Sequence, residues 1–261
     1  MLDTDATIAA LSAAPSSTAL LLDFDGTLSP IVARPDDARP HPAVLDHLRA
    51  VAPVLGRVAV VSGRSVDFLD RHVDVPGVVF AGLYGLELLD ENGHRVHPAA
   101  QGYAEAIAAA AGEAEARLPG VLVERKGGVT VTLHWRMVPD REAEVRAVAS
   151  DLAHTHGLDA PQRGRMAVEL RPPVRVDKGT AVDALVAGFA VGAFVGDDAG
   201  DLPAFAALGR AASEGRLQRA VRIGVLSPEA PPDLVAHVDA VVDGPDGLVA
   251  LLEALRLRLG E

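Results

Sequence analysis

An apolar run, Ala19-Leu20-Leu21-Leu22, passes directly into Asp23-Phe24-Asp25-Gly26-Thr27-Leu28. The run reads as a buried strand, and it ends on two carboxylates. Extended residues two apart point to the same side, so Asp23 and Asp25 are expected to address one small volume beyond the strand. Like charges that close resist desolvation unless a cation or a proton joins them. The pair therefore implies a metal or proton-handling role, against the plainer reading of a strand that closes in an Asp-Gly turn.

Three further segments favour the chemical reading. The strand Ala193-Phe194-Val195 runs into Gly196-Asp197-Asp198-Ala199-Gly200-Asp201, a second acidic cluster at a second strand end. In open parallel sheets ligands gather outside the carboxyl ends of the strands, so two such clusters can converge. Carboxylate oxygens without Cys or a His cluster suit a hard cation, Mg²⁺ above all. A helix-loop-helix calcium site is excluded, because the bidentate Glu it needs at the twelfth position is here Leu208. Between the clusters lie the strand Val58–Val61, ending in Ser62-Gly63-Arg64, and Asp177-Lys178-Gly179, which opens an apolar-periodic helix. A hydroxyl at a strand end, a Lys at a helix start and two acidic clusters together make a phosphate site.

Composition agrees with a phosphate-handling enzyme of small molecules. The formal net charge of −12 over 261 residues disfavours nucleic acid and anionic membrane surfaces as partners. The chain has no Cys, which excludes disulfides and thiolate chemistry. The first 17 residues carry Asp3 and Asp5 without a basic flank or long apolar core, and no apolar run is long enough to span a membrane. The expectation is a soluble, cytoplasmic monomer.

Strand and helix patterns alternate from Thr18 to about Leu89 and resume after Arg171. Such alternation argues an α/β fold with a mainly parallel sheet covered on both faces. Residues 1–89 and 172–261 are expected to form this core, with 90–171 a smaller inserted α/β cap. In the insert, Val129–Arg136 alternates strictly, placing Thr130, Thr132, His134 and Arg136 on one face and Val129, Val131, Leu133 and Trp135 on the other. A three-residue loop, Lys126-Gly127-Gly128, would keep Val121 and Val123 on the apolar side and Glu124 on the polar one. Glu169 on the last strand of the insert can line the same polar face. The histidines other than His134, including His154 and His156, show no metal-ligand spacing and read as surface or capping residues.

The ordered set of strand-end and helix-start motifs resembles the haloacid dehalogenase (HAD) superfamily of phosphotransferases, whose fold is a Rossmann-type core with a cap. Within it the chain looks like the trehalose-6-phosphate phosphatases. The stretches that carry this are Asp23 to Ile31, Glu124-Arg125-Lys126, His134-Trp135-Arg136 and Glu169-Leu170-Arg171-Pro172 before Asp177-Lys178-Gly179. The resemblance implies Asp23 as nucleophile, Asp25 as general acid and base, and Lys178 as a positive charge beside them. It implies Mg²⁺ held by Asp23, the Asp25 carbonyl oxygen and Asp197, with Asp198 or Asp201 in support. Thr27, Ser62 and Gly63 would cradle the phosphoryl group. Glu124, Lys126, His134, Arg136 and Glu169 would meet the sugar. The implied substrate is trehalose 6-phosphate, the implied partner enzyme a trehalose-6-phosphate synthase. The chain departs from the family pattern at Leu83-Tyr84-Gly85, where Ser-His-Gly is common, and at Gly200 and Leu202, where the last acidic motif has Thr and Glu. Activity on another phosphorylated glycoside, a phosphohexomutase, and a phosphosugar-binding regulator without turnover stand as alternatives.

Overall fold

The apolar run becomes β1 (Thr18–Leu22), every residue of it buried, in the middle of an eight-stranded sheet. In this computed structural model residues 3–32, 34–164, 166–227 and 230–261 are described. The chain divides into two units, Met1–His94 with Val176–Glu261, and Arg95–Arg175. The first holds helix α1 (Thr4–Ser12), then β1, α2 (Pro42–Val51), β2 (Arg57–Val61), α3 (Val66–His72), β3 (Val79–Gly82) and β4 (Glu87–Asp90). The strand β5 (Gly93–Val96) crosses the boundary between the units and is the last strand of the sheet. The second unit contains α4 (Pro98–Gln101), α5 (Ala104–Arg117), β6 (Leu122–Lys126), β7 (Thr130–His134), α6 (Glu142–Thr155), β8 (Gln162–Gly164) and β9 (Ala167–Leu170). The first unit then resumes with α7 (Lys178–Leu185), β10 (Val191–Gly196), α8 (Leu202–Ser213), β11 (Arg219–Leu226), β12 (Ala240–Asp243) and α9 (Gly244–Leu259).

The order of the large sheet is β12-β11-β10-β1-β2-β3-β4-β5, parallel from β12 to β3 and antiparallel between β3 and β4. Successive side chains of β1 enter opposite cores. Leu20 and Leu22 join a cluster with Val44, Leu48, Leu69 and Leu251 of α2, α3 and α9. Ala19 and Leu21 join another with Val182, Leu185, Phe205 and Leu208 of α7 and α8. Both faces are covered, which is why the strand shows no polar alternation. The register sets the site: Leu22 is opposite Val195 on one side and Val60 on the other, so β1, β10 and β2 end within two residues of one another. The Asp23 N–H continues the ladder by donating to the Val195 carbonyl at 2.8 Å.

Two elements escape the sequence pattern. Helix α1 is capped by Asp3, whose carboxylate accepts the Ala6 N–H, and it buries Ile8, Ala10 and Leu11. Its nine residues carry too few large apolar side chains for a clear 3.6-residue period. The β4–β5 hairpin keeps residues 87–96 in the large sheet, where the expected insert began at residue 90.

The second unit is a four-stranded sheet in the order β6-β7-β9-β8, antiparallel throughout. Its apolar face packs Val131, Leu133, Trp135, Val168 and Leu170 against Ala110, Ala114, Val145, Ala149 and Leu152 of α5 and α6. Lys126 pairs with Thr130, so the hairpin loop is Gly127-Gly128-Val129, one residue later than expected. Both glycines have positive φ, 57° and 68°. The pairing slides by two residues with that shift, so the faces stay as the pattern implied: Val123 opposes Leu133 and Glu124 opposes Thr132. Arg136, expected on the polar strand face, lies in a turn beyond the end of β7.

Candidate active site

The ends of β1 and β10 and the start of α7 bring four charged side chains together inside the first unit. Lys178 is the first residue of α7, placed there by the Asp177 N-cap, whose carboxylate accepts the Thr180 N–H while the Thr180 hydroxyl accepts the Asp177 N–H. Its ammonium lies 2.7 Å from Asp23 Oδ1 and 2.6 Å from Asp201 Oδ1. The other Asp201 oxygen accepts the N–H groups of Asp197 and Asp198, at 2.8 and 3.1 Å. Asp201 thus ties the β10 loop to α7. Asp23, Asp197 and Asp201 each offer a carboxylate oxygen within 4.8 Å of the others.

All four of these side chains are buried. Burial pushes the Lys178 ammonium down, but the Asp201 and Asp23 carboxylates outweigh it and hold the Lys charged. Burial lifts the Asp23 carboxyl well above the usual range; Lys178 pulls it back, and Asp201 and Asp198 lift it again. Asp197 is pushed up to about 7, by burial first and then by Asp201 and Asp198. The carboxylates outnumber the ammonium that faces them, in a setting that desolvates all of them. A hard divalent cation on oxygen ligands matches that deficit.

Asp25 is placed by the turn that follows β1 rather than by the strand itself. β1 ends at Leu22, Phe24 lies in a turn, and Asp25 bridges to Ser29. Its carboxylate, about half exposed, accepts from Arg64 Nε at 2.8 Å and Nη2 at 2.7 Å. Arg64 closes the Ser62-Gly63-Arg64 segment, and its place two residues after the Ser is the signal the sequence carries for this pairing. Directly after Asp25, Gly26 has φ 81°, and a Cβ there would fall into the Asp197 carboxylate. Gly26→Ala therefore strains the backbone and displaces Asp197 together. Turnover should fall about 10²-fold with loss of no more than about 3 kcal/mol of stability; steady-state rates and a melting curve check this, and wild-type kinetics would show that the turn accommodates a side chain.

The proposed phosphate-binding residues line the neighbouring turns. Thr27 is buried with its Oγ1 3.5 Å from Asp197 Oδ1. Ser62 is buried and its Oγ accepts the Arg64 N–H at 3.2 Å. Gly63 lies against the Tyr84 ring, which leaves no room for a Cβ. The turn carrying Tyr84 locks onto this loop through Tyr84 N–H to the Ser62 carbonyl, 2.9 Å, and Leu83 N–H to the Arg64 carbonyl, 2.8 Å. Leu83 and Tyr84 both adopt left-handed backbone, φ 49° and 61°, a strained pair of the kind that clusters at functional sites.

The second unit gathers a polar set on the face of its sheet opposite α5 and α6. Glu169 Oε1 lies 3.3 Å from each of Lys126 Nζ, Thr130 Oγ1 and Thr132 Oγ1. Glu124 Oε2 meets His134 Nε2 at 2.8 Å and Lys126 Nζ at 3.8 Å. His41 and His97 serve instead as N-caps of α2 and α4.

A parallel sheet with acidic strand ends, a Lys at a helix start and an inserted α/β unit defines a HAD-like fold. The fold aligns with that of a haloacid dehalogenase-like hydrolase from Bacteroides thetaiotaomicron at TM-score 0.65 and 14% identity, covering 91% of this chain and 99% of that one. It aligns with a trehalose-6-phosphate phosphatase related protein at TM-score 0.72 and 21% identity, covering 92% and 97%. The family model described as Trehalose-phosphatase matches residues 21–229. A probable trehalose-phosphate phosphatase from Sinorhizobium fredii is 38% identical over 184 residues, 69% of this chain and 68% of that protein. The chain spans only about half, 51%, of the Mycobacterium marinum and Mycobacterium avium relatives it matches. It belongs to the trehalose-phosphatase family. Among the described residues no helix is long and apolar enough to cross a membrane.

Proposed function

We propose that the chain hydrolyses trehalose 6-phosphate to trehalose and phosphate. The observation that carries the reading is the buried Asp23–Lys178–Asp201 bridge beside Asp197, in a chain of this family. A Lys shared between two buried carboxylates is poor stabilisation against an apolar alternative, so its retention fits catalysis. In the first step an Asp23 oxygen attacks phosphorus and the bond to the sugar oxygen breaks, with Asp25 giving that oxygen its proton. In the second, Asp25 takes a proton from water, the water oxygen attacks phosphorus, and the acyl phosphate bond breaks to restore Asp23. Lys178, held charged, offsets the repulsion between an anionic nucleophile and an anionic substrate. Thr27, Ser62 and the backbone N–H groups around Gly63 supply donors for the phosphoryl oxygens.

The Asp23 carboxylate, the Asp25 carbonyl oxygen and Asp197 would hold Mg²⁺, supported by Asp198 and by Asp201, both of whose oxygens already accept donors. Bound there, the cation would supply charge neutralisation for the phosphoryl group. The polar set Glu124, Lys126, His134 and Glu169, with Arg136 beyond it, would recognise the disaccharide. The substrate would come from a trehalose-6-phosphate synthase in the cytoplasm, with the phosphatase acting as a monomer.

Mg²⁺ added to metal-stripped protein should raise its melting temperature by about 5–10 °C at a hundredfold excess over its dissociation constant. The gain should be larger at pH 8 than at pH 6, because the cation displaces a proton from Asp197, whose carboxyl sits at about 7. The sign follows from an Asp raised on folding: the metal-stripped fold is favoured below the unfolded value and loses that advantage as pH rises through about 7. No shift with Mg²⁺ would remove this cluster as the metal site. The function itself is tested by Mg²⁺-dependent phosphate release from trehalose 6-phosphate, sucrose 6-phosphate, glucose 6-phosphate and an aryl phosphate. Preference for the first supports the proposal, another preference redirects it to a different phosphorylated glycoside, and no release from any rules out the phosphatase.

A further inference from the structure

The Arg64 guanidinium grips both oxygens of Asp25, Nε to Oδ2 at 2.8 Å and Nη2 to Oδ1 at 2.7 Å. A two-point fork fixes the plane of a carboxylate as well as its distance, which an ammonium cannot do. The fork is itself held. Its central carbon lies 4.5 Å over the Phe68 ring, and Phe68 packs edge-on against Phe24 at 5.4 Å and flat on His72 at 4.3 Å. Phe24, fully buried, is the residue between Asp23 and Asp25. One aromatic stack therefore anchors the turn that carries both acids and the cation that orients the outer one.

Stability alone is a weak reason for this arrangement. The Asp25 side chain is 44% exposed, and an ion pair that open to water contributes little to folding. Without its partner, a carboxylate so exposed would sample several rotamers. Each carboxylate oxygen has two acceptor positions, and the fork takes one on each, so a proton can still be exchanged at the others.

We infer that Arg64 is the positioning residue for Asp25, holding its carboxylate in the one orientation from which it serves the leaving oxygen and then the attacking water. This rests on the assignment of Asp25 as general acid and base. The competing role for an Arg in this loop is to grip the phosphoryl group directly, and kinetics separate the two.

Arg64→Ala should lower kcat on trehalose 6-phosphate about 10²-fold with KM within about threefold, since misplacement of a reacting group is felt in the rate. Arg64→Lys should remain nearly as slow, because charge without the fork does not orient. Guanidinium ion added at millimolar concentration should restore part of the Arg64→Ala rate and leave the wild type unchanged. In an Asp25→Asn background, Arg64→Ala should cost nothing further. A raised KM with kcat kept, full rescue by Lys, or an added loss on Asp25→Asn would overturn the inference in favour of a direct grip on substrate. An unimpaired Arg64→Ala enzyme beside a slow Asp25→Asn enzyme overturns it alone; a fully active Asp25→Asn enzyme instead removes the acid–base assignment beneath it.

Discussion

Asp23→Asn should reduce phosphate release from trehalose 6-phosphate by about 10⁴-fold or more while leaving the protein folded. The amide keeps the shape of the side chain and an oxygen for the Lys178 ammonium, which also retains Asp201 at 2.6 Å. What it loses is the anionic oxygen that must attack phosphorus. The stability effect has a definite sign. Burial and the carboxylates of Asp201 and Asp198 disfavour the ionised form of Asp23 in the fold, so neutralising that side chain relieves its repulsion with Asp201 and Asp198. The metal-stripped variant should melt at or above the wild-type temperature near pH 8. A steady-state assay with a thermal scan reads both quantities. Residual activity within tenfold of wild type would remove Asp23 as the nucleophile, whereas a collapsed melting temperature would show that its charge is needed to hold Lys178.

Replacing Glu169 by Gln should separate two substrates. Glu169 is the acceptor on which Lys126, Thr130 and Thr132 converge, so the polar face of the small sheet is organised around its charge. Gln keeps the volume and an acceptor oxygen but loses the charge that holds Lys126. A hydrogen bond to a charged group is worth about 1.5–3 kcal/mol, which corresponds to roughly 10–10²-fold in kcat/KM. That loss should fall on trehalose 6-phosphate, with an aryl phosphate changed by less than about threefold, because the aryl group has no hydroxyls for this face to meet. Glu124→Ala should behave in the same way through His134, its partner at 2.8 Å. Equal losses on both substrates would place these residues outside the sugar site.

The strained turn at Leu83-Tyr84 bears on the same question of preference. It is tied to the Ser62–Arg64 loop by two backbone hydrogen bonds and by the Tyr84 ring seated on Gly63. The phenol that stands at a common His position of the family is therefore packed against the loop that carries Ser62 and Arg64. No part of that placement is visible in Leu83-Tyr84-Gly85 as a string, since positive φ at Leu and Tyr runs against their intrinsic preference and is imposed by the surrounding contacts.

Short-range physics accounts for what the sequence alone determined. Runs of buried aliphatics at Ala19–Leu22 and Ala193–Val195, each closing on acids and glycine, identified parallel strands and the edge at which chemistry gathers, because strand length and two-sided burial are written in consecutive residues. Strict alternation in Val129–Arg136 likewise determined which side chains share a face, and parity survived a slip of the loop by one residue. Tertiary structure decided what depends on partners distant in sequence. Asp25, on the turn after β1, is gripped by Arg64, 39 residues away. Asp201, equivalent in the sequence to its neighbours Asp197 and Asp198, becomes the strut that accepts Lys178 and two backbone N–H groups. A carboxylate's role is set by the cations and donors that the fold brings within 3 Å of it, and local pattern carries no information on which those will be.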